Sequence, residues 1–346
     1  AVLLACILGA CTIVGYLCDG QRIHAEIMQK GLETNVVVAN SLVDMYAKCG
    51  LLLDAKKIFN KVQEKTVVSW TSLIGGYREA GDNEEVLQCW DQMQHEKVFP
   101  NVVTYASVLL SCGSTETLDK GCEIHSNAVK NGFEQDSFVG NALINMYGKH
   151  GALLEAKEVL EEMFVKDVVS WTTLIAAYAK HGFFNDVQEC LVQMKEGGVS
   201  PNLVCWNAVI SEYAEHGLGE VALQYMEKMQ QENVYPDIIT LTSITKACGK
   251  AKCISSGRTT HSQIMKMGSE KETFVGNALV DMYGKCGSLD EARRTFDGLE
   301  DGDVISWTCL ISGNAENGLI EEANNCLSEM QQKGIPITIT TWNAVI

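Results

Sequence analysis

Proline is scarce in this chain, with 4 in 346 residues. Proline interrupts helix interiors, so its rarity leaves room for many short helices. Metal-type cysteine pairs are missing as well. There are 14 cysteines, but no C-x-x-C occurs, and the tightest spacing leaves four residues between partners, as at Cys248 and Cys253. A zinc site needs two close ligand pairs. The thiols therefore read as small buried apolar side chains in a reducing compartment. Positive charge is in deficit: 27 Lys and Arg stand against 44 Asp and Glu, a net charge of −17. That balance argues against loose, charge-driven attachment to nucleic acid or anionic membrane. Residues 1–18, AVLLACILGACTIVGYLC, lack charge altogether, like a short membrane span or a signal-peptide core. No basic flank precedes them. No initiator Met is present either, and the chain is expected to be a piece of a longer protein.

What the chain has in abundance is repetition. Trp70 and Trp171 sit in the strings VVSWTSLI and VVSWTTLI, 101 residues apart, and Trp206 and Trp307 are separated by the same 101. VVVANSLVDMYAKCG at 36 recurs as SFVGNALINMYGKHG at 137 and TFVGNALVDMYGKCG at 273. The chain parses without gaps into units 1–35, 36–66, 67–101, 102–136, 137–167, 168–202, 203–237, 238–272, 273–303 and 304–338, and 339–346 opens an eleventh. The lengths follow a 35, 31, 35 rhythm, with one extra 35 at 203–237. This phase also accounts for the uncharged N-terminus without a membrane. Cys11, Gly20 and His24 lie 101 residues before Cys112, Gly121 and His125, so the stretch opens an ordinary unit.

Each unit reads as two helices. Trp70, Leu73, Ile74 and Tyr77 fall on one helical face, followed by Gly81, where a left-handed C-terminal cap favours glycine. Val86, Leu87, Trp90 and Met93 form a second face, and Phe99-Pro100-Asn101 closes the unit as a turn. The glycine recurs as Gly50, Gly151, Gly182, Gly217, Gly287 and Gly318. One such hairpin cannot bury its apolar faces alone, whereas stacked neighbours can. The expected fold is all-α: a right-handed superhelical solenoid of about ten helix-turn-helix repeats.

Tetratricopeptide repeats are also helix pairs but keep a fixed length near ~34 residues. The 31/35 alternation differs. NALVDMYGKCGSLDEARRTFDGL, VSWTTLIAAYAKHG and endings such as YPD resemble the pentatricopeptide repeat family over essentially the whole chain. The rhythm resembles its plant organellar subclass of long, short and standard units, with no C-terminal editing domain within these residues. The resemblance implies modular recognition of single-stranded RNA in mitochondria or chloroplasts, with a lean towards mitochondria. One base is read per repeat by two or three side chains. No cofactor, metal, DNA or membrane is implied. Any targeting peptide would lie outside this chain.

In the family, the fifth residue of a unit faces the groove and acts with the unit's last residue. An amide there can pair with a pyrimidine edge, whereas a small hydroxyl leaves room for a purine. Carried over, Asn40 with Thr66 implies a pyrimidine, and Thr71 with Asn101 implies adenine. Asn141 with Asp167 implies uracil, and Thr172 with Asn202 adenine. Asn207 with Asp237 implies uracil, as does Asn277 with Asp303. Thr308 with Thr338 implies a purine. Ala106 with Asp136 and Thr242 with Glu272, both in long units, depart from the code. The expected core, read 5′ to 3′, is Y-A-N-U-A-U-N-U-R. Second-place residues Val37, Val68, Phe138, Val169, Val204, Phe274 and Ile305 would flank the bases, with Phe138 and Phe274 able to stack. At the thirteenth place Lys48, Lys149, Lys180 and Lys285 can approach phosphate, while Glu79, Glu215 and Glu316 would repel it.

Simpler readings compete. The recurrent Trp, Leu, Tyr and Met positions are core. His24 and Glu26 give H-x-E, half of a zinc deaminase signature, but no P-C-x-x-C follows. Asn40, Asn141, Asn207 and Asn277 could be helix N-caps, although a pure cap has no reason to alternate with Thr and Ala. The leading expectation is an RNA address-reader, most simply for the choice of C-to-U editing sites. The alternative is a protein-binding scaffold. The long units would in either case suit small editing-factor proteins. No nucleophile–base set or metal cluster stands out, so the chain is not expected to be an enzyme.

Overall fold

The computed structural model describes residues 2–14, 17–33, 35–113, 117–299 and 302–344. Ala1, Gly15 and Tyr16 of the uncharged stretch, and the last two residues of the opened eleventh unit, lie outside them. Every regular element among the described residues is an α-helix, and the chain divides into two compact bodies, Ala1–Ala177 and Tyr178–Ile346. Helices alternate in role. Those that open the units are α1 (Val2–Val14), α3 (Val36–Lys48), α5 (Val67–Glu79), α7 (Val102–Ser111), α9 (Ser137–Lys149), α11 (Val168–Lys180), α13 (Leu203–Glu215), α15 (Ile238–Lys250), α17 (Thr273–Lys285), α19 (Val304–Glu316) and α21 (Ile339–Asn343). Those that close them are α2 (Leu17–Gln29), α4 (Leu52–Lys61), α6 (Asn83–His95), α8 (Leu118–Lys130), α10 (Leu153–Glu162), α12 (Phe184–Glu196), α14 (Gly219–Gln231), α16 (Ile254–Met267), α18 (Leu289–Asp297) and α20 (Ile320–Gln332). The architecture is a helical-repeat solenoid. No described helix is long and apolar enough to cross a membrane.

The two unit lengths have one structural origin. Closing helices of the 35-residue units run 13 or 14 residues, whereas α4, α10 and α18 of the 31-residue units run 10, 10 and 9. The four missing residues thus remove the last helical turn. The fifteenth place ends the opening helix as expected: Gly81 has φ 76°, and its counterparts in six other units lie between 73° and 81°. At that place in 238–272 stands Lys252, at φ 53°, a conformation that side chains with a Cβ adopt only at a cost.

Within each body, opening helices of consecutive units lie against one another. Among the described residues, α2, α4, α6, α8, α14, α16 and α18 each meet their own opening helix and the next one. The opening helices are thus the tighter, inner layer. Small residues permit this closeness. A Cβ on Gly284 or Gly313 would sit 2.9 Å from the Cα of the other. Gly76 faces Ala47, and Gly148 faces Ala177, in the same way. Between the layers, Trp70, Trp206 and Trp307 are almost wholly buried. Phe59 packs edge-on against Trp70 at 4.6 Å, and Phe296 against Trp307 at 4.5 Å. These large apolar faces supply the main stabilising term.

Each long-to-short junction carries one more recurring contact. His24, His125 and His261 place Nδ1 at 2.8, 2.9 and 2.8 Å from the hydroxyls of Tyr46, Tyr147 and Tyr283. The H-x-E at His24 is therefore part of a packing motif. Among the described residues, no group of three or more His, Cys, Asp or Glu side chains is arranged to hold a metal.

Adjacent glycines in α5 should respond oppositely to alanine. Gly75 has open space where a Cβ would go, while Gly76 has the Ala47 Cα at 3.2 Å. Gly75→Ala is expected to raise stability by roughly 0.5–1 kcal/mol. Gly76→Ala should lower it by about 1–3 kcal/mol, read as shifts of the urea unfolding midpoint. A second expectation concerns pH. Burial pushes the His24, His125 and His261 imidazoles below their ordinary value. The folded form therefore favours neutral imidazole, while the unfolded chain binds protons near pH ~6.5. The stability they contribute is complete above that value and declines as pH falls through it. The urea midpoint should drop between about pH 7 and 5.5, and less steeply in a His24→Gln, His125→Gln, His261→Gln triple variant. Equal slopes would rule this origin out.

Candidate nucleic-acid interface

The last residue of a unit opens the next helix. Thr66, Asn101, Asn202, Asp237, Asp303 and Thr338 are N-caps whose side chains each accept the backbone N–H three residues on. Asp136 caps α9, and Asp167 accepts the N–H groups of Val169 and Ser170 at 2.9 Å each. Such a cap contributes about 1 kcal/mol, and an anionic one gains from the helix dipole. Glu272 makes no side-chain cap. The caps overturn the alternative reading of Asn40, Asn141, Asn207 and Asn277. All four lie inside their helices, because the preceding unit's last residue already holds the cap position.

Three of these amides meet the last residue of their own unit. Asn40 Nδ2 donates to Thr66 Oγ1 at 3.4 Å, Asn207 Nδ2 to both Asp237 oxygens at 3.1 and 3.2 Å, and Asn277 Nδ2 to Asp303 Oδ1 at 3.3 Å. Burial pushes the Asp237 carboxyl up, but hydrogen bonds from Thr240 and Asn207 outweigh it and hold the group below its ordinary value. Asp303 behaves likewise through Ser306 and Asn277. The threonines differ. Thr71 and Thr308 donate to carbonyls of their own helices at 2.7 Å. They also lie 2.8 and 3.0 Å from the hydroxyls of Thr104 and Thr341, which Asn101 and Thr338 contact in turn. Thr172 Oγ1 is buried without a hydrogen-bond partner, and Asn202 is exposed. In the long unit 238–272, Thr242 is buried and turned to the Ile238 carbonyl at 2.7 Å.

Beside these groups runs a row of exposed apolar residues, one per unit. Val37, Val68, Phe138, Val169, Val204, Phe274 and Ile305 are between 52% (Val68) and 72% (Phe138) exposed. Apolar surface recurring on successive units is the kind that marks an interaction site. In the first body they border a cavity of about 800 Å³, lined by Arg78, Val103, Ala106, Phe138, Asn141 and Asp167, among others. Ala106 leaves open the space an amide fills elsewhere. Asn141 Oδ1 is buried there and has no hydrogen-bond partner.

Family models for the PPR repeat family match residues 65–113, 166–205, 201–250 and 302–346, and those for the PPR repeat match 37–67, 141–168 and 277–304. The chain belongs to the pentatricopeptide repeat family. A chloroplastic pentatricopeptide repeat-containing protein of Arabidopsis thaliana is 31% identical over 96% of this chain and 48% of its own length. A mitochondrial one from the same plant is 29% identical over 99% of this chain and 30% of its own. The chain thus spans about half the length or less of these relatives. Among solved structures, the pentatricopeptide repeat protein PPR10 in complex with an 18-nt psaJ RNA element has the same fold. Its TM-score is 0.62 at 21% identity, covering 92% of this chain and 53% of that one.

Charge divides between the two layers of these pentatricopeptide repeats. Opening helices carry seven Lys or Arg and six Asp or Glu, while closing helices carry thirteen and twenty-three. Most helical acid is therefore on the closing helices, while Asp136, Asp167, Asp237 and Asp303 cap opening helices, and the first two line the cavity. Lys48 pairs with Asp44 at 3.0 Å and Lys285 with Asp281 at 2.6 Å. Lys149 is exposed and lies over Gly113, and Lys180 is exposed at the end of α11. Glu215, expected to repel phosphate, is engaged by Lys246 at 3.6 Å and Lys250 at 3.0 Å. The hydrogen bond from Lys250 holds its carboxyl below the ordinary value. Sequence reasoning missed these partners. It also missed Arg78 at the cavity and the hydroxyls at the third place, such as Ser69, whose signal was the serine of each VVSW string.

An unpartnered buried amide oxygen costs about 1–3 kcal/mol, so Asn141→Leu is expected to stabilise the free protein by about 1 kcal/mol. Asn277→Leu removes an amide bonded at both ends and should destabilise it by about 1–3 kcal/mol. Differential scanning calorimetry of both variants checks the opposite signs.

Proposed function

We propose that the chain binds single-stranded RNA in a sequence-specific way, one base per short or standard unit. The observation that carries this reading is the repeated set along the inner layer. Each set holds a fifth-place polar side chain, a capping last residue and an exposed apolar second-place residue. The unpartnered Asn141 carbonyl at an open cavity fits a site that awaits a polar ligand. The base readers are the pairs Asn40/Thr66, Thr71/Asn101, Asn141/Asp167, Thr172/Asn202, Asn207/Asp237, Asn277/Asp303 and Thr308/Thr338, and the target core is Y-A-N-U-A-U-N-U-R. Lys48, Lys149, Lys180 and Lys285 serve the phosphates. Exposed ion pairs contribute about 0–1 kcal/mol, so exchanging an Asp44 or Asp281 partner for phosphate is a small change.

The alternation of unit lengths supports the subclass of long, short and standard repeats, and with it a role in choosing C-to-U editing sites. In that role the chain is the address-reader, and the deamination belongs to another domain or protein. Relatives named chloroplastic and mitochondrial support one of these organelles as its location. The RNA element bound by PPR10 supports the class of ligand.

A second surface favours a protein partner at the long units. Met28, Val129 and Met265 occupy one place on α2, α8 and α16 and are about half exposed. The standard units have Gln94, Lys195, Gln230 and Gln331 there. Small editing-factor proteins are the proposed occupants.

Selection from a random RNA pool should enrich the core above, with a shallow dependence of affinity on salt because few cations line the inner layer. Thr172→Asn should shift the base opposite 168–202 from adenine to cytosine. A pool that enriches no motif would leave the protein-scaffold reading in its place.

A further inference from the structure

We infer that the third residue of the following unit is a positioning residue for the base-reading amide, fixing which end of the Asn side chain faces the RNA. This rests on the proposed base reading. Ser69 Oγ donates to Asn40 Oδ1 at 2.6 Å, Thr240 Oγ1 to Asn207 Oδ1 at 2.5 Å, and Ser306 Oγ to Asn277 Oδ1 at 2.5 Å. Ser69, Thr240 and Ser306 are fully buried, so their hydroxyls are not satisfied by solvent. The amide oxygen is thereby occupied from one side, while Nδ2 is drawn to the last residue of the unit.

That arrangement decides chemistry. An Asn amide can rotate by half a turn and exchange its donor and acceptor. With Oδ1 held by a buried hydroxyl, the proton of Nδ2 not given to the cap remains to donate to an acceptor on the base edge. Where the cap is Asp237 or Asp303, the carboxylate can only accept, and it favours the same orientation. Where the cap is Thr66, whose hydroxyl both donates and accepts, Ser69 alone sets it. The dependence on the third residue is therefore strongest at Asn40.

The sequence carries the same relation. Each unit with Asn at its fifth place is followed by a hydroxyl residue: Asn40 by Ser69, Asn141 by Ser170, Asn207 by Thr240 and Asn277 by Ser306. Each long unit, with Ala5, Ala106 or Thr242 at that place, is followed by valine: Val38, Val139 and Val275. Thr71 and Thr308 are likewise followed by Thr104 and Thr341, and these hydroxyls also serve capping, so the contacts to the amide oxygens at Asn40, Asn207 and Asn277 are what carry the inference. Thr240 and Ser306 share their single hydroxyl proton between the amide oxygen and the capping carboxylate, 2.9 Å away in both cases, whereas in unit 137–167 only the contact to the cap is made. Ser170 Oγ donates to Asp167 Oδ1 at 3.0 Å, and Asn141 Oδ1 is the one left without a partner. RNA at the open cavity would complete that set.

The test uses the full chain and RNAs carrying each of the four bases opposite unit 36–66, with a parallel set varied opposite 273–303. Ser69→Ala should lower the pyrimidine preference opposite 36–66 by roughly five- to tenfold, the weight of one hydrogen bond. It should leave the preference opposite 273–303 intact, and Ser69→Thr should restore the wild-type ratio. A purely structural role predicts a uniform loss of affinity with both preferences unchanged, and that result overturns the inference. Thr240→Val, which keeps the side-chain shape, repeats the test at Asn207 should Ser69→Ala fold poorly. If the wild-type chain discriminates among bases at no unit, the base reading itself fails, an outcome distinct from discrimination that survives Ser69→Ala.

Discussion

The close approach of consecutive opening helices is the constraint on which the rest depends. Gly284 against Gly313, and Gly76 against Ala47, bring two backbones together with almost no side chain between them. Only at that distance can the fifth residue of one helix touch the first turn of the next. The contacts of Asn207 with Asp237 and Thr240, and of Asn277 with Asp303 and Ser306, follow from it. Larger residues at the contact would separate the helices and leave each polar side chain facing empty space.

The electrostatics follow the same division into layers. A strongly acidic chain is a poor candidate for nucleic-acid binding when only its total charge is counted. Its inner helices are nearly neutral, and their acidic caps sit at helix N-termini, where the dipole compensates them. The acid is concentrated on closing helices such as α10 and α20, which do not line the proposed groove.

Much of the fold was legible because helical periodicity and turn residues are local. The face of Trp70, Leu73, Ile74 and Tyr77, and the glycine ending each opening helix, needed only neighbouring residues. The site was legible in part. Which residues recur at the fifth and last places was plain, but their structural roles were not. Asn at the fifth place and Asp, Asn or Thr five residues earlier are both good caps by local chemistry, and only the helix start distinguishes them. Glu215 looked repulsive because its partners, Lys246 and Lys250, lie 31 and 35 residues away in the chain. Contacts between neighbouring units at such separations leave no local signature.

The caps also change what counts as one element of the array. The last residue of a unit is, structurally, the first residue of its successor's helix, and the third residue of that successor completes the polar set. Thr308 illustrates the point: its hydroxyl neighbour, Thr341, belongs to α21. Under the proposed base reading, specificity resides in the joint between two repeats and not within either. An array offers as many complete joints as it has adjoining pairs of opening helices. Anyone rearranging these repeats would have to cut inside the first turn of an opening helix, between its third and fifth residues, because a cut at the unit boundary would separate the letter from the hydroxyl that holds its oxygen.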